Sequence, residues 1–130
     1  MPSLIEDYVQ LLLNAVANSP IVSASNIQLD KRTNRSGLIR GDLFFGDGSR
    51  LYFRELVTAD DLVIRLMYSY HYQDTAAQLI FRYDDTPHHT EMDTFPHHKH
   101  IEQESNVVAS SPPTLVSVLD EIVNIFPLNQ

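Results

Sequence analysis

From Ile21 to Asp84 the chain alternates apolar and polar residues, interrupted by short turn-forming segments. These are Asn34-Arg35-Ser36-Gly37, Gly46-Asp47-Gly48, Thr58-Ala59-Asp60-Asp61 and Asp74-Thr75-Ala76-Ala77. A side-chain period of two is the mark of strands. Connections this short join antiparallel neighbours, because a parallel crossover needs about a dozen residues or more. Before this run, Ser3-Leu4-Ile5-Glu6 reads as a capping box, and Ile5, Tyr8, Val9, Leu12 and Val16 fall at helical spacing until Asn18-Ser19-Pro20 stops them. After it, Ser111-Pro112-Pro113 opens a second helix with Leu115, Val118, Leu119, Ile122 and Phe126 as its apolar stripe. The expectation is a single α+β domain over residues 1–130. It has an antiparallel sheet of five or six strands, with helices Leu4–Ala17 and Thr114–Ile125 on one face. Val107-Val108 is the candidate for the additional edge strand.

Register divides the side chains between two faces. With Asp74–Ala77 as a loop, Tyr72, Tyr70 and Tyr68 face Leu79, Phe81 and Tyr83, sharing a face with Leu62, Ile64 and Leu66. The same alternation adds Leu51, Phe53 and Val57. A two-residue Asp47-Gly48 turn would invert the preceding strand. A three-residue Gly46-Asp47-Gly48 loop instead keeps Ile39, Leu43 and Phe45 on the apolar side. The helices then cover this aromatic face. The opposite face is left open, bearing Arg40, Arg50, Arg54, Arg65 and Arg82 with Tyr52 and His71.

Composition narrows the functional classes. The 130 residues contain no cysteine, which excludes a disulfide framework, a thiolate metal site and a cysteine nucleophile. No apolar run approaches the roughly 20 residues of a membrane span, and the start lacks a basic secretion signal, so a cytoplasmic location without membrane contact is expected. The net charge of −8 argues against nonspecific coating of nucleic acid. That charge is unevenly distributed, however. Lys31, Arg32, Arg35, Arg40, Arg50 and Arg54 stand against Asp42 and Asp47, whereas Lys99 is the only base among the acids of residues 83–104. Arginines beside an aromatic ring on an open sheet suit single-stranded nucleic acid, with guanidinium forks for phosphates and a ring for stacking. An antiparallel sheet also normally presents one solvated polar face.

The segment 84–111 is the other anomaly, since a loop of more than about 15 residues in a compact domain is usually functional or disordered. It contains Pro87-His88-His89 and Pro96-His97-His98-Lys99-His100. Histidine both gives and takes protons near neutral pH and is a common metal ligand. One reading makes a histidine pair the acid and base for a phosphodiester or phosphoanhydride, with Arg82 and Lys99 stabilising the phosphoryl charge. Another has imidazoles with Asp84 or Glu91 binding a divalent metal, although the spacing matches no standard zinc helix motif. A third has the histidines and prolines simply stiffening the loop against Tyr83 or Phe95.

Through Tyr68-Ser69-Tyr70-His71-Tyr72-Gln73-Asp74, Leu79-Ile80-Phe81-Arg82-Tyr83-Asp84-Asp85, Pro87-His88-His89 and Phe95-Pro96-His97-His98-Lys99-His100, the chain resembles the TumE-like proteins. It departs from their pattern at Asp85, where an asparagine is expected, and in the Asp74–Gln78 turn, which lacks a glycine. The resemblance implies the toxin half of a bacterial toxin–antitoxin pair, with a helix-turn-helix antitoxin as partner. The residues themselves point to an RNA or nucleotide target, attacked by cleavage or by group transfer. In this reading Arg40, Arg50, Tyr52, Arg54, Arg65 and His71 bind substrate. Chemistry is expected from His88, His89, His97, His98 and His100 with Lys99 and Arg82, above all from His88 paired with His98 or His100. No permanently bound metal is expected, and an open strand edge makes a homodimer plausible. Two other readings stand beside it: a non-catalytic interaction module and a metal-dependent nucleotide hydrolase.

Overall fold

The computed structural model describes residues 4–125. Helix α1 (Leu4–Ala17) leads into seven strands: β1 (Val22–Thr33), β2 (Ser36–Phe45), β3 (Arg50–Ala59), β4 (Val63–Gln73), β5 (Leu79–Asp84), β6 (His98–Ile101) and β7 (Gln103–Ala109). Helix α2 (Leu115–Ile125) closes the chain. The strands form one sheet in simple sequence order, every neighbouring pair antiparallel. The α+β class and terminal helices match the expectation; the strand count exceeds it. The expected capping residue Ser3 and the stripe residue Phe126 lie outside the described residues.

The core lies between the sheet and the helices. Ile5, Leu12 and Val16 of α1 and Leu115, Val118, Leu119 and Ile122 of α2 are buried against Ile39, Leu43, Phe45, Leu51, Phe53, Val57, Tyr68, Tyr70, Tyr72 and Phe81. Helix α2 is capped by Thr114, whose hydroxyl accepts the Ser117 amide at 3.1 Å while the Ser117 hydroxyl accepts the Thr114 amide at 2.9 Å. Glu121 fastens α2 to the sheet, accepting the Tyr83 hydroxyl at 2.5 Å and Lys99 Nζ at 2.6 Å.

The β2–β3 hairpin takes the three-residue loop. The Phe45 amide donates to the Ser49 carbonyl and the Gly48 amide to the Phe45 carbonyl, each at 3.0 Å. Gly48 adopts a φ of 87°, the left-handed residue this loop requires. Leu43 therefore pairs with Leu51, with both side chains in the core. The Asp74–Gln78 turn places Ala77 at a φ of 61°. This is the left-handed conformation for which glycine was expected there, adopted here by an alanine. Asp85, the other departure, accepts the Tyr68 amide at 3.1 Å. The side-chain carbonyl of an asparagine could accept the same bond.

Bulges separate the structure from the simple alternation. Leu56 pairs with Met67 and Val57 with Arg65, leaving Leu66 as an extra residue. The faces of β4 invert across it. Leu62, Ile64 and Leu66, expected in the core, are 72%, 54% and 56% exposed. Arg65 turns instead beneath the helices. There its Nη1 donates to the Tyr70 hydroxyl at 2.7 Å, and its guanidinium lies 4.5 Å from the Tyr68 ring centre. A second bulge pairs Tyr72 with Phe81 and Gln73 with Leu79, two residues from the expected register but on the expected face. The expected long functional loop also shrinks. Residues 98–109 form β6 and β7, which reverse at Glu102, so the irregular stretch is residues 85–97.

Candidate functional site

The outer face of β3, β4 and β5 forms the floor of a cleft of about 990 Å³. Its lining includes Tyr52, Arg54, Leu66, Ser69, His71, Arg82, Asp84, His88 and Glu104. Alternation puts these side chains there. Tyr52 pairs with His71, His71 with Arg82, and Arg54 with Ser69. The Tyr52 and His71 rings stack at 4.9 Å, with 29° between their planes. The Arg50 guanidinium lies 5.4 Å from the Tyr52 ring centre.

The arginines on this face differ in their commitments. Arg82 Nε donates to Asp84 Oδ2 at 3.0 Å, and its Nη1 and Nη2 each donate to Glu104 at 2.5 Å. These partners hold Arg82 firmly as a cation; its pKa is raised chiefly by the Glu104 hydrogen bonds. The same contact holds the Glu104 carboxyl below its ordinary range. Arg50 is paired with Asp42 through Nε at 3.0 Å and Nη2 at 2.5 Å. Arg40 and Arg54 face each other directly across β2 and β3, both exposed, and neither has an ion-pair partner among the described residues. Arg65, expected among them, lies on the opposite face.

The histidine-rich segment divides in the same way. His98 and His100 alternate onto the outer face, where they pair with Asp84 and Arg82 across β5 and β6. His89 comes over them from the irregular segment. Its ring centre is 4.8 Å from that of His98 and 6.0 Å from that of His100, and His98 and His100 are 5.0 Å apart. His88 is exposed and lines the cleft. Two expected catalytic residues fall elsewhere. His97 stacks on Tyr68 beneath the helices, with its Nδ1 2.9 Å from the hydroxyl. Lys99 lies over the Phe81 and Tyr83 rings and binds Glu121. Once His98-Lys99-His100 is a strand, its central residue must face the other way.

Asp84 links the two halves of the site. It is 5% exposed, and burial pushes its carboxyl upward. Hydrogen bonds from the Thr86 hydroxyl at 2.7 Å, the Thr86 amide at 3.1 Å and Arg82 outweigh burial and leave its pKa lowered.

His71 is driven the other way. Burial lowers its pKa, and Arg82 and Arg50 reinforce the effect against the opposing pull of the hydrogen bond it donates to Gln73 Oε1 and of the Glu104 charge. The folded chain thus takes up this proton at lower pH than the unfolded chain, whose imidazole titrates near about 6.5. The His71 contribution to stability is full above that value and declines as pH falls from it towards the folded pKa. A ring-proton NMR titration of His71 is expected to give a midpoint below that of a free imidazole; a midpoint above it would contradict the assignment.

Sequence reasoning missed Glu55. Its carboxylate is 0% exposed and accepts the Tyr8 and Tyr70 hydroxyls beneath α1. Burial, followed by the Glu55 charge, holds both phenols well above their usual range. The signal was available, because Glu55 shares alternation with Leu51, Phe53 and Val57. Glu104 was also missed, because the edge strand expected at Val107-Val108, which β7 bears out, was not extended back to Gln103.

Among the described residues, no helix is long and apolar enough to cross a membrane. Comparison with curated proteins and with solved structures gives no match. Comparison with protein families matches residues 12–126 to one described as Toxin TumE, nearly the whole described chain and all of its sheet. The chain belongs to the TumE toxin family, and a toxin of that kind implies an antitoxin partner.

Proposed function

We propose that this toxin acts on single-stranded RNA or on a nucleotide through the cleft on the outer sheet face. The observation that carries this reading is the pair Arg40 and Arg54, directly opposed across β2 and β3 and without an ion-pair partner among the described residues. Like charges facing each other on neighbouring strands are destabilising, and a bound phosphate relieves that repulsion. Beside them the Tyr52–His71 stack offers a ring surface for a base, and Arg50 lies against it. His88, exposed at the same cleft, is the histidine best placed to reach a substrate and act as acid or base. His98 is 1% exposed and therefore supports the site from below rather than touching the target.

An antitoxin that silences this surface would present acidic groups to Arg40 and Arg54, and a helix-turn-helix protein carrying such a segment fits the toxin role. The open edges of β1 and β7 are where a homodimer would form. The exposed stripe Leu62, Ile64 and Leu66 favours a second reading, in which the same face engages a protein without chemistry.

The variant Arg40→Glu/Arg54→Glu separates these readings. Its affinity for single-stranded RNA should fall about tenfold or more at low salt, with growth arrest lost on induction without antitoxin. His88→Ala should retain the RNA affinity and lose the arrest. Parental RNA binding and parental toxicity in the double arginine variant would reduce the face to solvated surface.

A further inference from the structure

His89, His98 and His100 do more than lie near one another. One ring nitrogen from each lies within 4.8 Å of the other two, and the rings meet edge to face at 69° to 77°. Proximity alone does not decide their purpose, since imidazoles also pack together in polar interiors. Their hydrogen bonds are more informative.

His98 Nδ1 lies 3.0 Å from the Pro96 carbonyl, and His100 Nδ1 lies 2.8 Å from the Glu104 carbonyl. A carbonyl only accepts, so each Nδ1 carries the proton and each neutral ring is left with a bare lone pair on Nε2. Metal-binding histidines are typically held this way, anchored through one nitrogen with the other presented to the ion. The His98 Nε2 is buried and has no hydrogen-bond partner. It lies 2.8 Å from Asp84 Oδ1, but without the alignment of a hydrogen bond. A bare lone pair and a carboxylate oxygen at that separation repel, and either a second proton on Nε2 or a metal ion beside them relieves the repulsion. Asp84 Oδ2 lies 3.7 Å from the His100 Nε2, so the carboxylate borders both bare nitrogens.

We propose that His89, His98 and His100 bind one divalent transition-metal ion, zinc in the first instance, with Asp84 as its neighbouring counter-charge. An all-imidazole donor set suits zinc, cobalt or nickel and not magnesium or calcium, which take oxygen ligands. Asp84 is already engaged by Thr86 and Arg82, which fits a charge-balancing role. Three protein ligands leave a fourth position for water, the arrangement of catalytic rather than structural zinc. Tetrahedral ligands at zinc–nitrogen distances of about 2.0–2.1 Å stand roughly 3.3 Å apart, so binding draws the rings inward. His89, carried by the irregular segment, supplies that movement. The site does not depend on what Arg40 and Arg54 bind.

The test uses the untagged full chain, loaded with Zn²⁺ or Co²⁺ and then desalted. About one Zn²⁺ per chain should remain, and Co²⁺ should give the visible absorption of a four-coordinate ion. A hundredfold excess of Zn²⁺ over Kd should raise the melting temperature by about 10 °C. His89→Ala, checked for folding by circular dichroism, should lose all three signals. His97→Ala, which alters a histidine on the other face, should keep them. Absence of retained metal in the parent chain overturns the proposal, as does equal retention by His89→Ala or equal loss in His97→Ala. Because no readout involves toxicity or RNA, failure here leaves the RNA reading standing, and failure of the RNA reading leaves this one standing.

Discussion

Replacing Glu55 with alanine is expected to destabilise the chain by about 3–5 kcal/mol, the usual cost of removing one member of a buried charged network. The carboxylate accepts hydrogen bonds from Tyr8 and Tyr70, and Arg65 donates to the Tyr70 hydroxyl. Without Glu55 the two phenols lose their acceptor, Arg65 loses a counter-charge that acts on it and a cavity opens under α1. Glu55→Gln should cost less, because it keeps one carbonyl acceptor and nearly the same volume. Equilibrium urea unfolding of both variants checks the ranking. Equal midpoints for Glu55→Ala and the parent would show that the network contributes nothing net.

A comparable loss is expected at Gly41, for steric reasons. Gly41 faces Phe53 across β2 and β3, and an added Cβ would lie 2.2 Å from Phe53 Cε1 and 2.5 Å from Cζ. The Phe53 ring cannot easily retreat. It is 1% exposed and stacked on Tyr70, with centroids 5.8 Å apart. Gly41→Val should therefore cost about 3 kcal/mol, the upper range for overpacking. This exceeds the roughly 0.5–1 kcal/mol that leaving glycine would otherwise recover. A melting point lowered by about 10 °C is the expected readout. An unchanged melting point would mean that the ring moves freely.

Both positions help explain what could be read from sequence. The first hairpins were legible because glycine and asparagine mark their reversals and because one face is continuously apolar. That face placed Ile39, Leu43, Phe45, Leu51, Phe53 and Val57 correctly in the core. Leu66 was not legible. A bulge carries no composition signal in an apolar strand, and a single inserted residue turned Arg65 inward and exposed Leu62 and Ile64. Strand β6 was hidden for another reason. Its four residues, His98-Lys99-His100-Ile101, are mostly polar, and the reversal into β7 uses Glu102 at a φ of 64° where a glycine would have marked it. Without β6, nothing separated His98 and His100 from His97 and Lys99. The candidate site was therefore recognised as a histidine-rich region without its division between two faces.

The helix arrangement also separates what each face of the sheet depends on. All seven strands precede α2, so the outer cleft is built entirely from residues on the N-terminal side of the second helix. The opposite face cannot be completed without that helix, because Leu115, Val118, Leu119 and Ile122 are part of its core and Glu121 ties down Tyr83 and Lys99. Truncation before α2 would therefore spare every residue that lines the cleft while opening the core that holds the cleft in shape.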